Sequence, residues 1–306
     1  MRKWIVRILA VLVVLAAAGI GYYQAILKND VAAYRRRAVP ALMYHSISRP
    51  APGWPREMCV SPESFEAQMR WLKEQGYRAV TVPEARAALL AGGDVSHLVL
   101  LTFDDGYKDN YTVAFPILKK YGFRGNFYVI GKHIGKSYVE AGLKEYMDKP
   151  MLLEMHQAGM ELGSHSMSHD PLAKIAPHYL PWEIYEPLNI FSRRDGGLHW
   201  FIHGIAFPNG SYNDAVLAEV RKYPKLEYGF SGIMGANTKE TFERTPFELR
   251  RNGIYEQGNP TDEVAFVLRK AYVVGYLDSQ GFPVRTLQAI LDHLKEWRSR
   301  LSFRLG

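Results

Sequence analysis

The chain has a single cysteine, Cys59, among 306 residues. That excludes an intramolecular disulfide and any all-thiolate zinc site. There is no internal repeat and no low-complexity tract. Disorder and collagen-like structure are also excluded, because 47% of residues are hydrophobic and 23% charged, an ordinary globular balance. The body of the chain lacks net charge. The formal total is +7, but residues 1–37 hold Arg2, Lys3, Arg7, Lys28, Arg35, Arg36 and Arg37 against Asp30 alone. That is +6 at the amino-terminal end, which leaves +1 for residues 38–306. A nearly neutral body offers no basic footprint for nucleic acid, so none is expected as a partner.

The basic balance instead precedes an apolar run. Arg2, Lys3 and Arg7 stand before Ile8 to Tyr23, and Ala25, Ile26 and Leu27 extend the run past Gln24. The whole comes to about 20 residues, close to a membrane span. A cationic head followed by such a run is an export signal. Residues 1–27 are therefore read as a signal anchor or a signal peptide, with the body outside the cytoplasm, either held at the membrane by this helix or secreted after cleavage. No cysteine directly follows the run, so a lipoprotein anchor is excluded. Residues 28–38 read as a short polar linker, and residues 39–306 as one folded domain.

Beyond the linker, apolar bursts alternate with helical patterns. Ala41–Tyr44 reads as a strand. Ser61 caps a helix opened by Pro62 and closed at Gly76. Tyr77–Val82 is a second strand, and Thr81 with Glu84 forms a capping box for a helix through Leu90. Leu98–Phe103 is apolar throughout, as expected of a strand covered on both faces. A helix to Tyr121, closed by Gly122, leads to a strand at 126–130. A helix at 152–158 precedes a strand at 160–163, and helices at 182–193 and 213–222 flank an extended 202–207. Further strands are expected at 228–231 and 249–255, and an amphipathic helix at 286–300. The alternation means α/β with parallel strands, best matched by a distorted or incomplete (β/α) barrel.

Asp104 and Asp105 stand directly after the buried strand, and Gly106 follows. In such folds catalytic groups collect at the carboxyl ends of strands. Adjacent carboxylates there point in different directions, so one can bind a metal while the other handles protons; a turn with a helix cap is the plainer alternative. His165 and His169 also follow an apolar strand. Four residues apart, they share one face of a helical turn, within reach of one ion. A carboxylate and two histidines make three ligands, the count of a catalytic rather than a structural metal site.

Thr102-Phe103-Asp104-Asp105-Gly106-Tyr107 and His165-Ser166-Met167-Ser168-His169 resemble the first two motifs of NodB-type polysaccharide deacetylases, carbohydrate esterase family 4. The resemblance takes in Leu42-Met43-Tyr44-His45, Pro116-Ile117-Leu118 with Tyr121-Gly122, and Ala206-Phe207-Pro208-Asn209-Gly210-Ser211-Tyr212. The Met43-Tyr44-His45 opening is most similar to the exopolysaccharide branch that acts on poly-N-acetylglucosamine. The resemblance implies Asp104 as catalytic base and Asp105, His165 and His169 as ligands of one divalent ion, zinc first, with cobalt, nickel or manganese also suitable. It implies that Pro208, Asn209 and Gly210 line the groove and present a backbone N–H to the oxyanion. Tyr107 and Arg251 are expected to contact the substrate, an N-acetylated polysaccharide. The implied reaction is metal-dependent hydrolysis of acetamide groups. A catalytically weakened glycan-binding module, or another amide hydrolase on the same scaffold, is the alternative.

The sequence departs from the pattern in three places. Asn209 stands where the third motif usually has tyrosine. The arginine that commonly opens that motif is missing, while Arg251 resembles one placed later in the exopolysaccharide branch. The late Leu-X-His motif that supplies the general acid is absent. His45, at the end of the first strand, is the preferred replacement and His203 the second; His293 is expected on the surface of the closing helix. Trp54, Trp200 and Tyr212 are further aromatic candidates for the groove, and Cys59 is expected to be inert.

Overall fold

The computed structural model describes residues 28–50, 54–139, 143–192, 202–256 and 258–284, together with Gly21 and Thr286. The expected amino-terminal apolar helix and the closing helix with His293 lie outside the described residues, apart from Gly21 and Thr286. Among the described residues, no helix is long and apolar enough to cross a membrane.

Strand β1 (Ala38–Tyr44) pairs in parallel with β3 (Leu98–Phe103), which also pairs in parallel with β2 (Arg78–Val80) and β4 (Asn126–Val129). The sheet continues in parallel through β7 (Glu161–Ser164), β8 (Ile202–Ala206) and β9 (Tyr228–Phe230). β10 (Ala236–Thr238) is antiparallel to β1. A separate hairpin, β5 (Ser137–Val139) with β6 (Leu143–Glu145), projects between β4 and β7 in sequence. β11 is only Asn252–Gly253, parallel to β1, where a longer strand over 249–255 is expected from sequence. Just before it, Leu249 forms a parallel bridge with Phe230 of β9. Residues 249–253 therefore cross from β9 to β1, and the sheet curls into a distorted half-barrel of the expected class.

The strands' period of two sorts their side chains between two cores. Val99, Leu101 and Phe103 face the surrounding helices, with Phe103 stacked on Phe127 at 4.6 Å and on Tyr44 at 5.4 Å. Leu98 and Leu100 face the other way, into a cluster with Tyr128, Tyr228 and Phe230. That inner cluster is closed by Val82, Ala85 and Leu89 of the helix Val82–Ala91, whose Thr81–Glu84 capping box forms as expected. Glycine at 163 and 204 makes room for the inner rings: a Cβ there would meet Tyr128 at 2.3 Å and Tyr228 at 2.1 Å.

The segment expected to be a polar linker is built into the body. Residues 28–35 are helical, and Tyr34 is buried against Ala38, Ala236 and Tyr272. Arg35 stays exposed and donates to the Tyr77 hydroxyl at 3.0 Å. Propensity could not reveal this, because Ala236 and Tyr272, which close over Tyr34, come from more than 200 residues away.

Candidate active site

Alternation along β3 decides the direction of Asp104. Continuing the inward series of Leu98 and Leu100, Thr102 and then Asp104 point to the inner side at the carboxyl edge. Asp104 is 2% exposed. Arg251, carried on the segment that crosses between β9 and β1, is also buried and donates through Nη1 to both Asp104 oxygens, at 2.6 and 2.7 Å. Burial opposes ionisation of Asp104, but the Arg251 cation, with help from His165 and His45, outweighs it and holds the carboxyl below its usual range. Arg251 is expected from sequence to contact substrate; in the structure its Nη1 is engaged by Asp104, a contact that requires the curl of the sheet and could not be read from spacing.

The same alternation turns His165 inward, two positions beyond Gly163. Its Nδ1 lies 2.7 Å from the carbonyl oxygen of Ala206, at the end of β8. That contact makes Nδ1 the protonated nitrogen and leaves the Nε2 lone pair free. Burial depresses its pKa to about 4, against the pull of Asp104, so the ring is neutral at ordinary pH. His165 Nε2 lies 3.5 Å from Asp105 Oδ1, and His169 Nε2 lies 3.3 Å from the same oxygen. Asp105 Oδ1 is buried without a hydrogen-bond partner. One ligand atom from each of the three residues falls within 4.8 Å of the others. An orphaned buried carboxylate oxygen facing two imidazole nitrogens is a donor set suited to a first-row divalent ion.

The two histidines do not lie on a helical turn, as their spacing suggests. Ser166 and His169 have φ of 60° and 71°, and residues 165–169 form a loop in which Ser166 Oγ accepts from the His169 N–H at 3.0 Å. Asp105 and Asn209, at 71° and 54°, complete the set of left-handed non-glycine residues among those described. Each such residue costs about 1–3 kcal/mol unless its surroundings hold it. All four stand at this one edge of the sheet.

Pro208–Gly210 form a short turn after β8. The N–H groups of Gly210 and Ser211 are used within it, donating to Phe207 and Pro208. The Asn209 N–H makes no hydrogen bond to a described residue and remains available. Gly210 is required by close approach, since a Cβ there would meet the Gly232 backbone at 2.7 Å.

His45 follows β1 at the same edge, partly exposed, and acts electrostatically on both aspartates. Its loop is held by two neighbours that sequence reading missed. Asn110 donates to the His45 carbonyl at 2.8 Å, and Asp109 accepts from the Ser46 hydroxyl and the Ile47 N–H at 2.5 and 3.0 Å. Asn110 begins a π-helical turn, Asn110–Ala114, an insertion frequent at functional sites. The polar pair directly after the Asp104 motif was the available signal.

The other candidates separate by position. His203 lies near the amino end of β8, paired at 3.3 Å with Glu227, so it is removed from the site. Tyr107 is not an open stacking surface: it is buried under Trp54 and beside Tyr146, with ring centroids 5.1 and 5.2 Å away. Burial and the neighbouring Asp105 carboxylate push its hydroxyl pKa far up. Tyr212 stacks on Phe207 and donates to Glu248 at 2.7 Å. Cys59 is buried. Trp200 lies outside the described residues.

Residues 92–226 match the sequence family described as polysaccharide deacetylase. The Bacillus subtilis protein YxkH is 36% identical over 185 residues, a span of 60% of this chain and 61% of that relative. A poly-beta-1,6-N-acetyl-D-glucosamine N-deacetylase of Staphylococcus aureus is 26% identical, covering 75% of this chain and 86% of the relative. Among solved structures, the Streptococcus pyogenes deacetylase PplD in complex with acetate aligns with a TM-score of 0.63 and 26% identity, over 77% of this chain and 98% of that one.

Proposed function

Because the chain carries a NodB-type polysaccharide deacetylase domain, we propose that it hydrolyses acetamide groups on an N-acetylglucosamine polymer outside the cytoplasm, releasing acetate. The observation that carries this reading is the convergence of Asp105, His165 and His169 beside Asp104, itself locked to Arg251. The Staphylococcus aureus relative supports poly-N-acetylglucosamine as the substrate.

Asp105, His165 and His169 would hold the ion, which we assign as zinc. Such an ion acts as a Lewis acid toward an amide carbonyl and makes water acidic enough to ionise near neutral pH. The remaining steps belong to the chain's own groups. Asp104, kept ionised by Arg251, takes the proton of the attacking water. Water oxygen bonds to the acetamide carbon, and the Asn209 N–H donates to the oxygen on which charge develops. The carbon–nitrogen bond then breaks, and His45 delivers a proton to the departing sugar amine. Acetate and a free amine are the products. The export segment at residues 1–27 would hold the domain at the outer face of the membrane.

The deciding experiment incubates the purified chain with poly-β-1,6-N-acetylglucosamine, chitin oligomers and peptidoglycan, and measures acetate with and without chelator. Chelator-sensitive release from the first polymer above the others is expected. Release from none would overturn the reading.

A further inference from the structure

A buried carboxylate outside the ligand set holds the loop that carries both histidines. Glu183 lies in the first turn of the helix Leu180–Ser192 and is 3% exposed. No cation among the described residues pairs with it. A carboxylate so placed must be satisfied by hydrogen bonds, and among the described residues its side-chain partners are all in the histidine loop. Its Oε2 accepts from the N–H groups of Met167 and Ser168, at 3.2 and 3.0 Å, and its Oε1 lies 2.5 Å from the Ser168 hydroxyl. The Glu183 backbone carbonyl also accepts from the Met167 N–H, at 3.0 Å.

These contacts fall on the two residues between left-handed Ser166 and the ligand His169. A loop with two left-handed non-glycine residues persists only if its surroundings over-determine it. On the other side, the Ser166 and Met167 carbonyls accept from the Gly131 and Lys132 N–H groups, both at 3.0 Å. The loop is thus clamped between the end of β4 and one helix, and Glu183 is the charged half of the clamp. We infer that Glu183 is a positioning residue for the metal centre: its carboxylate fixes the spacing of His165 and His169 without touching ion or substrate. The inference rests on the reading of Asp105, His165 and His169 as metal ligands.

The test is zinc affinity, measured by competition with a chromophoric chelator on the purified full chain. Glu183→Ala should weaken zinc binding by about 10–100-fold, the range seen when groups supporting metal ligands are removed. kcat at saturating zinc should fall while KM for the acetylated polymer stays within about threefold, because the residue does not meet substrate. Glu183→Gln keeps an acceptor oxygen for the two N–H groups and should recover affinity to within about threefold of wild type. Should the alanine variant fail to fold, Glu183→Asp serves in its place: it keeps the charge but is one methylene too short to span both contacts, and should lose about tenfold. Wild-type zinc affinity in the alanine variant, or in the aspartate variant where it replaces alanine, overturns the role, as does a glutamine variant no better than alanine. Absence of zinc binding by the wild-type chain would instead overturn the metal reading itself.

Discussion

Arg251 Nη1 donates to both carboxylate oxygens of Asp104, although 147 residues separate the two in sequence. Removing one partner of a buried ion pair leaves the other charge unpaired, at a cost of about 3–5 kcal/mol. Arg251→Met should therefore lower the thermal midpoint and raise the Asp104 pKa. The sign for activity follows. A base must be ionised, so the acidic limb of the pH–rate profile should move to higher pH, whereas in the wild type it lies low. An unmoved acidic limb would separate Asp104 from the rate-determining proton transfer.

Asp104 and Asp105 are adjacent, and a different role is proposed for each. Asp104→Asn removes the proton acceptor and little shape, so zinc content should be unchanged while kcat falls by about 10²–10⁴-fold. His165→Ala should lose most of its zinc, because the Nε2 lone pair freed by the Ala206 contact disappears. Elemental analysis of both variants beside acetate release distinguishes the roles; a zinc-replete His165→Ala would remove that residue from the ligand set.

His45, at the carboxyl edge of β1, is the proposed proton donor. His45→Gln should reduce turnover by about 10²–10⁴-fold with metal content unchanged, and the basic limb of the profile should flatten, since a histidine acid works only while protonated. Asn110→Ala, which frees the His45 carbonyl, should give a milder version of the same profile. Loss of zinc in His45→Gln would instead make the residue a support of the metal site.

Asn209 is proposed to act through its backbone. Its φ of 54° suits glycine, so Asn209→Gly should retain kcat to within about threefold. A fall of about 10²-fold or more, the cost of a lost oxyanion donor, would show that the side chain contributes.

The amino-terminal boundary is also testable. Tyr34 is 3% exposed, and its hydroxyl fits where a Gly275 Cβ would meet it at 2.6 Å. A chain starting at residue 28 should keep the stability of the full chain. One starting at residue 38 should lose about 3–5 kcal/mol, the cost of removing a buried aromatic side chain, and this is measurable by urea titration.

The sequence by itself determined the alternation of strands and helices through the parallel sheet and the candidate chemistry-bearing residues at the strand ends. Those are local properties. Caps such as Ser61 and Thr81, the unbroken apolar stretch Leu98–Phe103 and the acids just beyond it act over a few residues, so spacing and residue type suffice. Only the tertiary structure decided which groups meet. Arg251 reaches Asp104 because residues 249–253 cross from β9 to β1. His165 and His169 converge through left-handed backbone held by Ser166 and Glu183, not through a helical period. His203 falls at the wrong end of its strand, and Tyr34 is claimed by partners more than 200 residues distant. Each of these depends on the curl of the sheet, a cooperative result of packing two cores at once, and no short stretch of sequence carries it.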